Sequence, residues 1–403
     1  MNAIYNLLAK MAKLDSVEFG QEVSIAIDFA LTHDGSMPKI IEEFSKLQKD
    51  AVINYGNKLH VTVDHFLPAP DIKSRQNYKK INDFCKRFGI ELYKNGEGIL
   101  HQVFVEKFGE RLKDKIIVGV DGHMCTSAGL GALPFSITPE EMVHVLATDK
   151  YTIVVPKIVK IYLQGEFPKN NSGKLSVSGK DIILNIIKQA GITNLKGNGI
   201  LLCGQSLNAL TVSEKMTISN MLGEVGAKTV YFTVENLEEE CEFYKVLQMN
   251  ANEIKRVVAL PGSVENVVSL DDAKGQAVSQ VYIGGCTNGR LDDMEQVAEI
   301  LKNKTIHNDV TLIVCPASRK VVNDMDRLGY SEIIRNSGGI IINPGCGACS
   351  GIHQGVLSDT DVVVTTTPRN SSGRMGDKNA QIYLVSPKTA AMAAVEGMLV
   401  SEL

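Results

Sequence analysis

The sequence predicts an α/β protein of two or three domains. Its 403 residues exceed what one ordinary hydrophobic core accommodates. Short apolar runs rich in valine and isoleucine alternate with helical patterns, which is typical of βαβ units. The composition, with 44% hydrophobic and 22% charged residues and 35 glycines, is that of a globular chain.

The individual elements follow from apolar periodicity. The N-terminal stretch "MNAIYNLLAKMAKLDSVEFG" lacks the continuous apolar core of a secretion signal and is predicted to form a first helix. Helices are also predicted at "RLDDMEQVAEILKN" and "SRKVVNDMDRLG". The predicted strands are "KLHVTVDHF", "KIIVGVDGH", "IVKIYLQGEF", "TVYFTV", "VYIGGCTN", "VTLIVCPAS", "GIIINPGC" and "DVVVTTTP".

Two polar stretches suggest where the domains meet. Prolines and an Asn-Asn-Ser-Gly turn follow the first 150 residues or so, and "SLDDAKGQAVSQ" has little helical periodicity. We therefore expect boundaries near 155 and 275, which gives domains of residues 1–155, 156–275 and 276–403. Each is expected to contain a parallel or mixed sheet.

Charge and hydropathy narrow the classes of partner. The formal net charge of −4 provides no overall basic field, so no nucleic-acid partner is expected. No apolar run approaches the roughly 20 residues that cross a bilayer, so no membrane association is expected either. A cytoplasmic location is the resulting expectation.

Polar and thiol-bearing residues gather where the predicted strands end. The segments "VTVDH", "VGVDGH", "IGGCTN", "INPGCGAC" and "TTTPRN" each run from an apolar stretch into a polar one. Because ligands of open α/β sheets bind beyond the carboxyl ends of the strands, this pattern predicts a single site.

The spacing of the cysteines leaves several kinds of site open. Cys346 and Cys349 could form a redox pair, or half of a zinc site that is completed by His353. Together with Cys286, they could instead hold an iron–sulfur cluster, and a fourth possibility is that they share no site. The remaining cysteines stand alone and are predicted to be small buried hydrophobes: Cys85, Cys125, Cys203, Cys241 and Cys315.

A family resemblance favours the cluster. "GGCTNGRLDDM", "CGACSG", "RNSSGRMG" and "YLVSP" resemble, in order and spacing, the cluster-binding domain of the aconitase superfamily. Five further segments are similar to other sequence motifs of that superfamily: "ALTHDG", "VDHFLPAP", "GEGILHQV", "VDGHMCTSAGLGAL" and "MTISNMLGEVGAKT". The resemblance covers nearly the whole chain and is greatest to large subunits of the 3-isopropylmalate dehydratase, homoaconitase and 2,3-dimethylmalate dehydratase type.

The resemblance implies three α/β domains around a central [4Fe–4S] cluster. Cys286, Cys346 and Cys349 would ligate it and leave one iron without a protein ligand, free to polarise the C–O bond of a 2-hydroxy acid. A histidine oriented by a carboxylate would supply the proton. The implied pairs are Asp64 with His65 and His101 with Glu224, and Asp121 and His123 occupy the Asp-Ser-His station of the family.

The implied substrate is a small dicarboxylate, which needs cationic and polar contacts. Arginine forks suit carboxylates because they bind them bidentately. The resemblance assigns these contacts to His33, Asp34, Asn220, Arg369 and Arg374.

Three positions depart from the family pattern within this expected site. Gly122 replaces the serine of Asp-Ser-His, Pro368 replaces an asparagine, and Ser371 replaces an aromatic residue. The missing serine hydroxyl corresponds to one hydrogen bond, on the order of 1 kcal/mol. Because the cluster ligands are intact, we expect either an altered substrate preference or a paralogue with modified activity.

The resemblance also implies a partner. Single-chain aconitases continue into a swivelling domain that carries the catalytic base, whereas this chain stops at Leu403. The expected function is thus the large catalytic subunit of a hydro-lyase with a separate small, swivel-domain subunit. The alternatives from other classes are a cluster-free RNA-binding iron sensor and an inactive scaffold.

Overall fold

A computed structural model describes residues 2–47, 53–235 and 242–401 of the chain. Its strands are β1 (Glu22–Ala26), β2 (Phe29–His33), β3 (Leu59–Thr62), β4 (Glu91–Tyr93), β5 (Ile116–Gly119), β6 (Leu133–Ser136), β7 (Lys150–Val154), β8 (Ile158–Gln164), β9 (Gly199–Cys203), β10 (Thr229–Thr233), β11 (Lys245–Asn250), β12 (Val257–Ala259), β13 (Val267–Ser269), β14 (Gln280–Gly284), β15 (Thr311–Cys315), β16 (Ile340–Ile341), β17 (Val362–Thr365) and β18 (Gln381–Leu384).

The helices lie between these strands. They are α1 (Ala3–Ala12), α2 (Met37–Ser45), α3 (Ile72–Phe88), α4 (Leu100–Phe108), α5 (Pro139–Thr148), α6 (Gly179–Ala190), α7 (Ile192–Leu195), α8 (Val212–Glu224), α9 (Leu270–Ala273), α10 (Gly285–Asn288), α11 (Leu291–Leu301), α12 (Arg319–Arg327), α13 (Tyr330–Asn336) and α14 (Pro387–Glu396). The α/β class predicted from the alternating patterns is confirmed.

The strands of the first half build three sheets. A five-stranded parallel sheet has the order β4-β3-β2-β5-β6, and β1 pairs antiparallel with β7 beside it. A four-stranded parallel sheet has the order β10-β9-β8-β11. The inner strands β3, β5 and β9 are buried along their whole length, as expected for parallel strands covered on both faces.

The second half contributes a mixed seven-stranded sheet in the order β13-β12-β18-β17-β14-β15-β16. Its strands from β18 to β16 are parallel, whereas β12 pairs antiparallel with both β13 and β18. The proposed domain boundary near 155 falls between β7 and β8. Because β12 and β13 precede residue 275 yet join this sheet, sheet membership alone would place the second boundary earlier, after β11.

Local chemistry explains where the helices that support the site begin. Thr211 caps α8 by accepting from the Glu214 backbone N–H, and the Glu214 carboxylate accepts from the Thr211 N–H in return. Ser178 and Asp181 form the same capping box at α6. The predicted N-terminal helix is α1, capped by Asn2. Over the described ranges, no helix combines the length and the apolar character needed to span a membrane.

Candidate functional site

One cavity of about 220 Å3 collects most of the predicted site residues at the carboxyl ends of β2, β3, β5, β14 and β17. The predicted residues that line it are His33, Asp64, His65, His101, Asp121, His123, Cys286, Cys346, Cys349, Arg369 and Arg374. A larger cavity of about 550 Å3, beside the N-termini of α6 and α8, contains none of them. The chemistry of the chain is therefore concentrated in the smaller cavity.

Asp64 and His65 form a hydrogen-bonded pair just after β3 ends. His65 Nδ1 lies 2.6 Å from Asp64 Oδ1, while the other Asp64 oxygen accepts from the Leu100 backbone N–H at 2.8 Å. The strand ends at Thr62, so the alternation that would point these neighbours to opposite faces no longer applies. The carboxylate holds the imidazole with Nδ1 protonated, which leaves Nε2 available for proton transfer.

The charges around this pair favour a protonated imidazole. Burial alone would lower the pKa of His65, but the carboxylates of Asp64, Asp34 and Asp121 outweigh it and raise the pKa. Burial would likewise raise the pKa of Asp64, yet the adjacent imidazole outweighs it and lowers that pKa. The pair is thus arranged as imidazolium and carboxylate, which suits a proton donor.

Asp121 is the hub of a second network, just beyond β5. Its Oδ1 lies 2.9 Å from His101 Nε2 and accepts from the His123 backbone N–H at 2.6 Å, and its Oδ2 lies 3.1 Å from His33 Nε2. Because His33 Nδ1 accepts from the Gly35 N–H, the proton of His33 sits on Nε2 and is donated to Asp121. Burial would raise the pKa of Asp121, but the imidazoles of His101 and His33 outweigh it and hold the pKa well below its usual range.

The predicted pairing of His101 with Glu224 is wrong. Glu224 Oε2 lies 2.8 Å from His123 Nε2, and His101 is bound to Asp121 instead. Helix α8 brings Glu224 against the segment that follows β5, which carries His123, whereas His101 belongs to the first turn of α4. His123 therefore takes the place beside Glu224 that was expected for His101, and His101 pairs with Asp121.

Glu224 also binds a predicted substrate arginine. Arg369 Nε donates to Glu224 Oε2 at 2.5 Å, so one carboxylate joins His123 and Arg369. Burial would raise the pKa of Glu224, but His123 and Arg369 outweigh it and lower the pKa. The second arginine, Arg374, forms a hydrogen bond with the Cys349 thiol, which opposes the rise that burial causes in the thiol pKa.

The three thiols approach the cavity on two short helical turns. Cys286 lies in α10 directly after β14. After β16, Cys346 immediately precedes a 3-10 turn, Gly347–Ser350, and Cys349 lies within it. The turns need glycine, because Gly285 and Gly347 have φ values of +82° and +47°. The Cys346 N–H donates to the Asp64 carbonyl at 2.8 Å, which joins the thiol loop to the acid–base pair.

The environment of these thiols argues against a redox pair. Burial raises the pKa of Cys286 to about 12 and raises the pKa of Cys349 as well. Burial and then the Asp64 carboxylate hold the pKa of Cys346 well above its usual range. Catalytic redox cysteines have lowered pKa values instead. These thiols would become thiolates only when a metal replaces the proton.

The arrangement also argues against a single zinc ion. His353, the possible fourth zinc ligand, directs Nε2 to the His65 carbonyl at 3.1 Å and does not line the cavity. Zinc–sulfur bonds of about 2.3 Å place thiolates on one ion roughly 3.8 Å apart. In the described part of the chain, no three-ligand group confined within 4.8 Å includes a cysteine. Three thiols that share one cavity at wider spacing fit a cluster, in which each thiolate binds a different iron.

Two predicted substrate contacts lie behind the cavity wall. Asp34 uses both oxygens to accept backbone N–H groups of His65 and Phe66, at 3.0 and 2.9 Å. Asn220 donates through Nδ2 to Cys286 Sγ at 3.3 Å and to Thr126 Oγ1 at 2.8 Å. Asp34 therefore holds the backbone of the Asp64–His65 loop, and Asn220 donates a hydrogen bond to the Cys286 thiol.

Sequence reasoning overlooked two serines of the cavity, Ser36 and Ser350. Ser36 Oγ lies 3.2 Å from His33 Nε2, and Ser36 directly follows the motif "ALTHDG". Ser350 directly follows Cys349. Of the cysteines predicted to be buried hydrophobes, Cys85, Cys125, Cys203 and Cys315 are buried, and Cys241 lies outside the described residues.

The fold and this cavity define a class: an α/β enzyme whose acid–base centre of histidines and carboxylates faces three cysteines. Residues 7–238 and 271–397 match the family model described as "Aconitase family (aconitate hydratase)". The chain belongs to the aconitase family.

Relatives span its full length. The chain is 35% identical to 3-isopropylmalate dehydratase large subunit 2 of Archaeoglobus fulgidus, over 98% of this chain and 96% of the relative. It is 33% identical to the methanogen homoaconitase large subunit of Methanocaldococcus jannaschii, over all of both chains. The crystal structure of Thermococcus kodakaraensis aconitase X in its holo-form superposes with a TM-score of 0.54 at 12% identity, covering 94% of this chain and 97% of that one. This last likeness supports the fold alone.

Proposed function

We propose that the chain is the large catalytic subunit of a hydro-lyase that removes and re-adds water on a 2-hydroxy dicarboxylic acid. The observation that carries this proposal is the single cavity shared by three cysteines, two histidine–carboxylate networks and two arginines. This combination supplies a metal centre, a proton donor and cations for carboxylates.

Cys286, Cys346 and Cys349 would hold a [4Fe–4S] cluster with one iron not ligated by protein. When bound, such a cluster supplies a Lewis acid that polarises the hydroxyl and carboxyl oxygens of the substrate. The N–H donor of Asn220 beside the Cys286 sulfur supports a thiolate there. The three thiols line one cavity, and their sulfur atoms do not all lie within 4.8 Å of one another, which fits this group.

The protein's own residues would handle the proton and the carboxylates. His65, held by Asp64, donates from Nε2 to the departing hydroxyl. Arg374 and Arg369 offer their guanidinium groups to the substrate carboxylates. His123, fixed by Glu224, and His101, fixed by Asp121, orient the polar groups of the substrate.

The preferred substrate is an alkylmalate. By analogy with its relatives, the reaction would be that of 3-isopropylmalate dehydratase, the isomerisation of 2-isopropylmalate to 3-isopropylmalate in leucine biosynthesis. Homoaconitase activity is the first alternative, because a relative of that name is nearly as similar. A 2,3-dimethylmalate dehydratase is the second.

The partner would be a separate small subunit with a swivel domain, since several relatives are named large subunits. That subunit would contribute the base that removes the Cα proton. No nucleic-acid or membrane partner is proposed. A cytoplasmic location suits the thiols, because the seven described cysteines are free and a reducing compartment keeps them so.

The decisive experiment is anaerobic reconstitution of the chain with iron and sulfide, followed by addition of the cognate small subunit. We expect hydration of isopropylmaleate, with Cys286→Ser losing iron and activity. Cys85→Ser, which changes a buried cysteine of α3 outside the cavity, is the matched control and retains both. Turnover of homoaconitate alone would favour the first alternative. Cluster binding without turnover of any alkylmaleate would favour the inactive scaffold, and RNA binding by the cluster-free chain would favour the iron sensor.

A further inference from the structure

Two fully buried cations lie behind the Cys286 turn, and the proposed chemistry uses neither. Lys180, in the first turn of α6, is 0% exposed, and Arg290, just before α11, is 3% exposed. Their side-chain hydrogen bonds go to carbonyl and hydroxyl oxygens. Within the described residues, neither side chain forms an ion pair with a carboxylate at 4.0 Å or less.

Lys180 is joined to the Cys286 turn through Thr366. Its Nζ donates to the carbonyls of Thr366 and Thr367 at 2.8 and 3.0 Å. The same Thr366 carbonyl accepts from Thr287 Oγ1 at 2.6 Å, and Thr287 directly follows Cys286. Lys180 therefore ties the end of β17, which leads to Arg369, to the turn that carries the thiol.

Arg290 grips the same turn with its guanidinium. Nη2 donates to the Cys286 carbonyl at 2.6 Å, and Nη1 donates to the Thr287 carbonyl at 2.5 Å and to Thr217 Oγ1 at 3.2 Å. Nε has no hydrogen-bond partner among the described residues. The positive charge of Arg290 therefore lies against the backbone of Cys286, the residue that carries the first thiol of the site.

Buried charges of this kind require a counter-charge. Hydrogen bonds to neutral carbonyls do not fully offset the free-energy cost of desolvating an ammonium or guanidinium group. Burial lowers the pKa of Lys180 to about 7, and the groups that oppose this shift include Cys286, Asp293 and Cys349. Two carboxylates act on Arg290 from nearby: Asp293, which accepts the Arg290 backbone N–H at 3.0 Å, and Asp292. Among the described residues, neither carboxylate lies within 4.0 Å of the side-chain nitrogens of Lys180 or Arg290, so neither cation has a direct ion-pair partner.

We propose that Lys180 and Arg290 are positioning residues whose charges balance the ionised thiolates of Cys286, Cys346 and Cys349 in the cluster-bound protein. The thiols lose their protons to become cluster ligands, and their three negative charges exceed the positive charge of an oxidised [4Fe–4S] core, so the loaded site has a net negative charge beside the two cations. The inference rests on the proposed cluster site and deepens it. On this proposal the two cations stabilise the loaded site more than the cluster-free one.

The test removes each charge and measures the cluster itself. Lys180→Met and Arg290→Gln delete a charge, whereas Arg290→Lys keeps the charge but loses the planar fork. Lys160→Met is the matched control, because Lys160 is 3% exposed but lies over the rings of Tyr162 and Phe243. After anaerobic reconstitution, each chain is assayed for iron and sulfide content, loss of iron to a chelator, reduction potential, and melting temperature with and without the cluster.

We expect Lys180→Met and Arg290→Gln to lose iron roughly 10- to 100-fold faster than the wild type. Their reduction potentials become more negative, because a nearby positive charge favours the reduced cluster. Arg290→Lys recovers the wild-type potential, and Lys160→Met leaves both properties unchanged. Lys180→Met lowers the melting temperature of the loaded chain but not that of the cluster-free chain.

The opposite results overturn the proposal. The proposal is wrong if Lys180→Met and Arg290→Gln fold and still retain iron, and keep the reduction potential, as the wild type does. It is also wrong if Lys180→Met lowers the melting temperature equally with and without the cluster. If Lys180→Met does not fold, the comparison of Arg290→Gln with Arg290→Lys decides alone. Cluster uptake by the wild-type chain is measured first. If the wild type takes up no cluster, the proposed function itself fails, and the variants are not needed to show this.

Discussion

Arg369 Nη2 lies 3.3 Å from the position that a β-carbon would occupy on Gly122. The arginine is held there by Glu224, which accepts a hydrogen bond from Arg369 Nε. Gly122 therefore leaves room for the guanidinium at the edge of the cavity. A side chain at this position has to displace a proposed substrate cation by a few tenths of an ångström.

Gly122→Ala should weaken substrate binding without unfolding the protein. The added methyl group pushes the Arg369 guanidinium away from its present position, and we expect KM to rise several-fold while the melting temperature is kept. Gly122→Ser causes the same displacement but adds a hydroxyl, so the ratio of the two KM values isolates the hydrogen bond. At about 1 kcal/mol, that bond makes the serine variant roughly fivefold better than the alanine variant. Equal KM values in all three proteins would show that Arg369 moves freely.

Asp64→Asn should impair the proton donor while preserving the fold. The asparagine oxygen can still accept from the Leu100 N–H, but the side chain no longer offers a carboxylate to His65 Nδ1. We expect kcat to fall about a hundredfold, since the imidazole loses both its orientation and its counter-charge. The measurement is steady-state kinetics of the reconstituted two-subunit enzyme. Asp83→Asn, at an exposed position of α3, is the control, and an equal fall there would refute the assignment.

Much of the site could be predicted because strand ends are visible in the sequence. Runs such as "VTVDH" and "IGGCTN" mark both the apolar strand and the polar group that follows it, and in the structure Asp64 and Cys286 line the same cavity. Strands of two or three residues, such as β4 and β16, are barely distinguishable from loops by periodicity. Of these two, only β16 was predicted, because its apolar run leads into the cysteine motif.

The partners of each histidine could not be predicted from local pattern. Whether Glu224 meets His101 or His123 depends on how α8 packs against the segment after β5, which is a tertiary property. The buried cations illustrate the same limit. A lysine near the start of a helix, such as Lys180, is ordinarily solvated, and only the packing of α6 against Thr366 reveals its burial.

His60 should make the protein acid-sensitive. Its ring is 6% exposed on β3, among Phe29, Phe104 and Phe108, and its Nδ1 lies 3.0 Å from Tyr93 Oη. Burial, assisted by Lys107, lowers the pKa of His60 to about 4. The unfolded chain, with a histidine pKa near 6.5, then binds the proton more tightly.

Neutral His60 therefore stabilises the folded protein fully above about pH 6.5. This contribution to the free energy of unfolding, about 3 kcal/mol in total, is lost as the pH falls toward 4. Denaturant titrations of the cluster-free chain at pH 7.5 and 5.0 measure it. His60→Gln should abolish most of this His60-dependent difference, whereas His144→Gln, at an exposed position of α5, should not. An unchanged pH dependence in His60→Gln would contradict the prediction.

Asn220 should stabilise the thiolate of Cys286, because it is a donor positioned 3.3 Å from the sulfur and anchored by Thr126. Asn220→Ala removes the N–H group that the ionised sulfur needs, and we expect the reconstituted chain to lose iron to a chelator about tenfold faster. Asn220→Asp should be worse than alanine, since it places a second negative charge beside the thiolate. Asn185→Ala, which removes an amide of α6 that bonds only backbone carbonyls, provides the control. Iron retention in Asn220→Asp equal to that of the wild type would mean that this amide supports the packing of α8 and not the sulfur.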